Sequence, residues 1–266
     1  MIKKCREIFR ESFPEIKLTE KQFAEILGNV RFIVHEDKGF AAVSQDKIRL
    51  LCVSPEYRNS GIGIGLLKEC EDIIRSGGYG RAILGGTDSQ LFIGVPQNFS
   101  FFEKAGYSSD DSCMEKALRF DGYDAEKLSL KLYPEGITFG FFEGDREELR
   151  KAVALVDDEW VQYFDDECSV FCAFEDGNPV GFTIVGYDDL CVLSGDGEKV
   201  GSIGCVGVVP SVRKRGIGIA MAAHACTVLK ESGCTSLFIH YTHLVNWYER
   251  LGCKTFMEYT FAEKSL

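Results

Sequence analysis

One string of residues occurs twice in this chain, 155 positions apart: Val53-Ser-Pro-Glu-Tyr-Arg58-Asn-Ser-Gly61-Ile-Gly63 and Val208-Val-Pro-Ser-Val-Arg213-Lys-Arg-Gly216-Ile-Gly218. Proline, arginine and both glycines stand in the same register, so the chain reads as an internal repeat. Each copy follows an apolar run that reads as a strand, Ile48 to Val53 and Val206 to Val209, and each leads into a segment of helical spacing. Strand, glycine turn and helix start together make an anion site. The first helical N–H groups lack intrahelical partners, the helix dipole is positive there, and glycine lets the backbone approach a phosphate.

Other glycine loops fit the string less well. A P-loop requires Gly-Lys-Ser/Thr, which neither copy has, and a dinucleotide-binding fingerprint requires a third glycine at a spacing that Gly61-Ile-Gly63-Ile-Gly65 and Gly216-Ile-Gly218-Ile-Ala220 both miss. The V-x-P-x-x-R-x-x-G-I-G pattern resembles the acetyl-CoA pyrophosphate loop of the GNAT N-acetyltransferase superfamily. A second landmark repeats as well. Phe102-Glu-Lys-Ala-Gly106 and Tyr248-Glu-Arg-Leu-Gly252 resemble that superfamily's Y-E-K-L-G-F segment, their glycines falling 45 residues beyond Gly61 in the first copy and 36 beyond Gly216 in the second. The extra residues of the first copy are expected around Leu91 to Gln97. Gly94-Val-Pro-Gln-Asn, Phe101-Phe-Glu-Lys-Ala-Gly and His240-Tyr-Thr-His-Leu-Val-Asn-Trp-Tyr-Glu-Arg-Leu-Gly further resemble tandem modules that are in some cases fused to β-N-acetylhexosaminidases. The mycothiol-synthase-like architecture is a second tandem precedent, with its site in the C-terminal half.

The resemblance implies an α/β (α+β layered) fold class: two tandem GNAT folds, each a mixed, mostly antiparallel sheet flanked by helices. Their expected extents are 1–135 and 136–266, divided near Pro134-Glu-Gly136 with no low-complexity linker. Strands are expected at 31–34, 39–43 and 47–53, and a helix carries Leu66, Leu67, Cys70, Ile73 and Ile74 up to Gly77-Gly78. The second copy is expected to repeat this, with a hairpin turning at Asp176-Gly177-Asn178, a helix ending before Gly233, and last strands at 236–241 and 254–261.

The resemblance also implies acetyl-CoA as co-substrate and a primary amine of a small molecule as acceptor, amino sugars foremost. Its cofactor-binding residues fall on Val206, Gly207, Val208, Arg213, Lys214, Arg215, Gly216, Ile217 and Gly218. In the first copy they fall on Leu51, Val53, Arg58, Asn59, Ser60, Gly61, Ile62 and Gly63. Backbone N–H groups on the strand before the loop are the implied oxyanion donors, and the implied general acid is Tyr248. The first copy has Phe102 there, which holds no proton to give, so chemistry is expected in the second half. His240 is a candidate general base because an imidazole titrates near neutrality; a structural histidine is the alternative, as a packed aromatic is for Tyr248. Two departures stand out: no glutamate lies within Ser202-Ile-Gly-Cys205, and Tyr241 takes the place of an expected asparagine.

Composition narrows the remaining classes. The net charge of −11 and 41 acidic against 30 basic side chains argue against nucleic acid as a partner. No apolar stretch reaches membrane-spanning length and no signal-like segment opens the chain, so a cytoplasmic monomer or homodimer is expected. Eleven scattered cysteines, most with apolar neighbours, read as buried free thiols. Cys168 and Cys172 lack the partners of a zinc site, and no metal is expected.

Overall fold

The structure, a computed structural model, describes residues 1–84, 99–195 and 197–266. The expected insertion at Leu91 to Gln97 and the Gly94 to Asn98 string lie outside the described residues. In chain order the elements are α1 (Ile2–Ser12), α2 (Glu20–Leu27), β1 (Arg31–His35), β2 (Gly39–Ser44), β3 (Lys47–Val53), α3 (Ile62–Ser76), β4 (Arg81–Leu84), α4 (Phe99–Lys104) and β5 (Ser108–Arg119). There follow β6 (Ile137–Phe141), α5 (Arg146–Ala154), β7 (Val170–Glu175), β8 (Asn178–Gly186), β9 (Val200–Val208), α6 (Ile217–Glu231), β10 (Ser236–Thr242) and β11 (Lys254–Ser265). The expected strands, hairpin and helix stops are all found, and each repeat is the mixed, mostly antiparallel α/β arrangement.

The chain folds into two compact units that are not simply consecutive. One comprises Met1–Glu115, Leu190–Gly197 and Phe256–Leu266; the other comprises Lys116–Asp189 and Glu198–Thr255. The expected boundary near residue 135 concerns the sequence repeat, and we keep it as a proposal for where one copy passes into the next.

In the first unit β1, β2 and β3 form an antiparallel meander, β3 pairs in parallel with β4, and β11 returns antiparallel to β4. Leu66, Leu67, Cys70 and Ile74 of α3 are fully buried with Ala41, Val43 and Ile48 of the sheet. This is the 3.6-residue stripe meeting the inward positions of period-2 strands. The returning strand is fastened from α3, where both oxygens of Glu71 accept from Lys264 Nζ at 2.8 and 3.0 Å.

In the second unit β6, β7, β8 and β9 are antiparallel neighbours, and β9 pairs in parallel with β10. The β7–β8 turn takes left-handed backbone at Asp176 and Gly177 (φ 50° and 80°), the geometry that a two-residue hairpin demands. Helix α6 is buried along most of its length by small and apolar residues, among them Ala220, Ala222, Ala223 and Ala225. That composition lets the helix lie close on the sheet beside the loop that precedes it.

Candidate active site

The duplicated string has the same backbone in both units. In the second unit β9 leads through a 3-10 turn, Pro210–Val212, to Arg213 in extended conformation. Lys214 and Gly216 then adopt left-handed φ of 66° and 84°. In the first unit the turn is Pro55–Tyr57 and the left-handed positions are Asn59 and Gly61, at 62° and 89°. Arg213 Nε donates to the Val208 carbonyl at 2.9 Å, and Arg58 Nε donates to the Val53 carbonyl at 3.2 Å. Each arginine therefore ties its loop to the last residue of the preceding strand and keeps its two terminal nitrogens for other partners.

Neither α3 nor α6 has a side-chain cap at its N-terminus, and neither has an acid in its first turn. Ordinary helix starts satisfy their first N–H groups with Ser, Thr, Asp or Asn and favour Asp or Glu nearby. Glycine caps in left-handed conformation leave these amides and the positive end of the dipole to an external anion.

At the second loop this helix start opens on a cavity of about 430 Å³. Of the sequence-predicted residues, Val206, Val208, Arg213, Lys214, Gly216, Ile217 and Gly218 form its walls, and Leu244, Trp247 and Arg250 join them. Tyr248 and His240 are not among the walls, and neither are two of the expected cofactor-binding residues, Gly207 and Arg215. A Cβ at Gly207 would lie 2.4 Å from the ring of Phe182, so glycine there makes room for a buried phenylalanine. Arg215 turns to Glu175 Oε1 at 2.7 Å and to the Glu135 carbonyl at 3.1 Å. Trp247 was missed in the sequence, although it stands beside Tyr248 as Phe101 stands beside Phe102. A Cβ on Gly218 would meet Trp247 at 3.6 Å, and one on Gly63 would meet Phe101 at 3.4 Å.

Strand β9 is irregular just before the loop. Phe182 pairs with Gly207 and Ile184 with Gly204, so Thr183 faces two residues, Cys205 and Val206. Cys205 has φ 48°, and Thr183 Oγ1 donates to the Gly204 carbonyl at 3.0 Å. This is a β-bulge, which re-aims the backbone amides that follow it. The parallel ladder to β10 comprises Val200, Gly201 and Ser202 against Ser236, Leu237 and Phe238, whereas both strands run on. The ladder ends at Ser202 and the bulge follows at Cys205, so the stretch leading to Val206 and Val208 is backbone without a β10 pairing. In the first unit the register shift falls at Arg49, between the Leu50 and Ile48 pairings. Leu51, Val53 and Ile62 pack against that unit's core, and Ser60 Oγ donates to the Tyr57 carbonyl. Ile62 and Gly63 open α3 as Ile217 and Gly218 open α6.

Tyr248 lies in the 3-10 turn Tyr248–Leu251 and is 5 % exposed, within the core of the second unit. Its ring meets Trp247 edge-on at 4.7 Å. Burial, then the nearby thiols of Cys253, Cys205 and Cys226, push its hydroxyl well above the usual phenol range. The turn itself is held by Lys116, fully buried, whose ammonium donates to Glu249 Oε1 at 3.1 Å and Thr255 Oγ1 at 2.9 Å.

His240 lies on β10 two residues beyond the end of the parallel ladder. Its Nε2 is 2.7 Å from Asp189 Oδ2, and its ring packs edge-on against Phe238 at 4.8 Å. The carboxylate only accepts, so Nε2 carries the hydrogen and Nδ1 is the basic nitrogen of the neutral ring. Asp189 escaped the sequence reading because it is 51 residues from its partner. No group of three or more His, Cys, Asp or Glu arranged to hold a metal is found among the described residues. No helix among them is long and apolar enough to cross a membrane.

Comparison with known proteins places this geometry in a family. Over 154 residues the chain is 25 % identical to a mycothiol acetyltransferase of Rhodococcus erythropolis, an alignment that takes in 50 % of this chain and 52 % of that protein. The chain thus spans about half the length of that relative. Among solved structures, it resembles a GCN5-related glucosamine N-acetyltransferase region of a fungal multi-domain GH3 β-N-acetylglucosaminidase, with TM-score 0.76 and 24 % identity. The likeness covers 98 % of this chain and 36 % of that one. A tandem GNAT protein from the clavulanic acid biosynthesis pathway matches with TM-score 0.58 and 15 % identity, over 85 % of this chain and 78 % of that one. At these identities the solved structures speak for the fold alone. The model of the acetyltransferase (GNAT) family matches residues 2–93 and again 136–253, and with both repeats so matched the chain belongs to that family.

Proposed function

We propose that the protein is an acetyl-CoA-dependent N-acetyltransferase acting on a primary amine of a small molecule, with its chemistry in the second unit. The observation that carries this reading is the uncapped start of α6. It has left-handed Lys214 and Gly216, no first-turn acid, and Arg213 tied back to Val208, all facing a cavity of nucleotide-fragment size. These are the features that a pyrophosphate requires, and they fit the group. Lys214 adds a charge that Asn59 lacks in the first loop.

Acetyl-CoA supplies an acetyl group activated as a thioester. In this reading backbone amides that follow the bulge at Cys205 donate to the oxyanion that forms when the amine nitrogen bonds to the carbonyl carbon. His240, oriented by Asp189, takes the proton the amine loses. Tyr248 gives its proton to the sulfur as the C–S bond breaks, and its buried hydroxyl stays protonated throughout the working pH range. Amino sugars head the acceptors because the fungal structural neighbour is a glucosamine N-acetyltransferase region. We place the protein in the cytoplasm, acting without nucleic acid or membrane, as a monomer or homodimer.

A thiol-release screen with acetyl-CoA against amino sugars, polyamines, amino acids and peptides tests the activity, and calorimetry tests the binding. Activity confined to peptides overturns the small-molecule reading. A second reading, a coenzyme A-binding protein without turnover, is favoured by the depth at which Tyr248 is buried. Binding with no release on any acceptor would select it.

A further inference from the structure

Two cations of the cavity come from the loop, and a third comes from elsewhere. Arg250 lies in the turn Tyr248–Leu251, on the segment that also contributes Leu244 and Trp247 to the walls. No carboxylate is among those walls. The acid beside it in sequence, Glu249, is engaged by the buried Lys116. Arg215, by contrast, is neutralised by Glu175. Among the described residues Arg250 has no ion pair, and it is exposed. The cavity therefore presents a loop wall of amides with Arg213 and Lys214, and a further wall of an aromatic ring, a leucine and an arginine.

We infer that Arg250 binds the phosphomonoester on the ribose of coenzyme A, so that the site distinguishes coenzyme A from its 3′-dephospho form. This rests on the reading above that the loop holds coenzyme A. The loop amides, the helix dipole and Arg213 match the two charges of a pyrophosphate. The phosphomonoester is a separate dianion carried on the nucleoside. Trp247 and Leu244 give that nucleoside an apolar surface, and Arg250 on the same segment gives its phosphate a charge-assisted, bidentate donor.

The test is calorimetry of coenzyme A and 3′-dephospho-coenzyme A with the full chain, wild type and three variants. The wild type is expected to prefer coenzyme A about tenfold or more. Arg250→Gln should weaken coenzyme A by that factor and leave 3′-dephospho-coenzyme A unchanged, and Arg250→Lys should keep part of the preference. Arg213→Gln should weaken both ligands alike. Equal loss of both ligands in Arg250→Gln, or no loss of either, overturns the inference and leaves the loop assignment standing. If the wild type binds neither ligand, the loop assignment itself fails and this inference fails with it.

Discussion

Asp189 Oδ2 stands 2.7 Å from His240 Nε2, joining the segment that follows β8 to the strand whose ladder with β9 has already ended. The contact fixes both the tautomer and the plane of the imidazole. His240→Gln should lower kcat/KM by about 10²–10⁴-fold, the usual contribution of a positioned base, and leave acetyl-CoA affinity intact. Asp189→Asn should give a smaller loss, because it removes the orienting charge and keeps the base. Steady-state thiol release with the best acceptor, paired with calorimetry, checks both. Unchanged turnover in His240→Gln removes it from the mechanism.

Tyr248→Phe keeps the ring that packs on Trp247 and deletes only the hydroxyl. Turnover should fall by about 10²–10⁴-fold with coenzyme A affinity nearly unchanged, the pattern of an interaction made mainly in the transition state. Wild-type turnover in this variant would give the role of acid to another group and take away the main distinction between Tyr248 and Phe102.

Glycines of β9 should respond unequally to alanine. Gly207→Ala forces a methyl to 2.4 Å from the Phe182 ring, whereas no atom lies within 4 Å of the same methyl at Gly204. Overpacking of this kind costs about 1–3 kcal/mol, so Gly207→Ala should lower the urea midpoint clearly and Gly204→Ala little. Equal midpoints would mean that Phe182 moves aside.

The Lys116–Glu249 pair separates loss of a partner from loss of a charge. Glu249→Ala leaves a buried ammonium with Thr255 Oγ1 but without its counter-charge and should cost about 1–3 kcal/mol. Lys116→Met replaces the charge with an apolar chain of similar length and should be milder. Denaturant midpoints of the two variants decide it, and the reverse order would refute the argument.

Alkaline pH should destabilise the protein through its thiols. Nine of the eleven cysteines are buried, and burial raises Cys5 to about 11 and Cys70 and Cys172 to about 12 from an ordinary 9.0. The folded thiols hold their protons more tightly than the unfolded ones. Their contribution is complete below pH 9 and is lost as pH climbs from there toward 11–12. Melting temperatures under reductant should therefore fall steadily above about pH 9, and a flat profile to pH 11 would contradict the burial.

Much of the fold was legible because its signals are local. The loops carry their own glycines, and the α3 stripe is regular. The Asp176-Gly177 turn needs left-handed backbone that those residues supply cheaply. The remainder depends on distance in sequence. Trp247 becomes a wall only once the segment before the Tyr248 turn is brought against the start of α6, and Asp189 matters only once β10 brings His240 beside it. Arg215 counts as a cofactor residue by the family resemblance and its charge, but Glu175 on a separate strand claims its guanidinium. Gly207 was read as part of the cofactor strand, and its reason proves to be Phe182.

The return of β11 to β4 bears on the order in which the protein acquires structure. The first unit needs Phe256–Leu266, so its sheet stays unfinished during synthesis until residue 266 has left the ribosome, long after β1 to β4 have emerged. Until then Glu71 lacks its lysine, and β4 offers a bare strand edge to any neighbouring nascent chain.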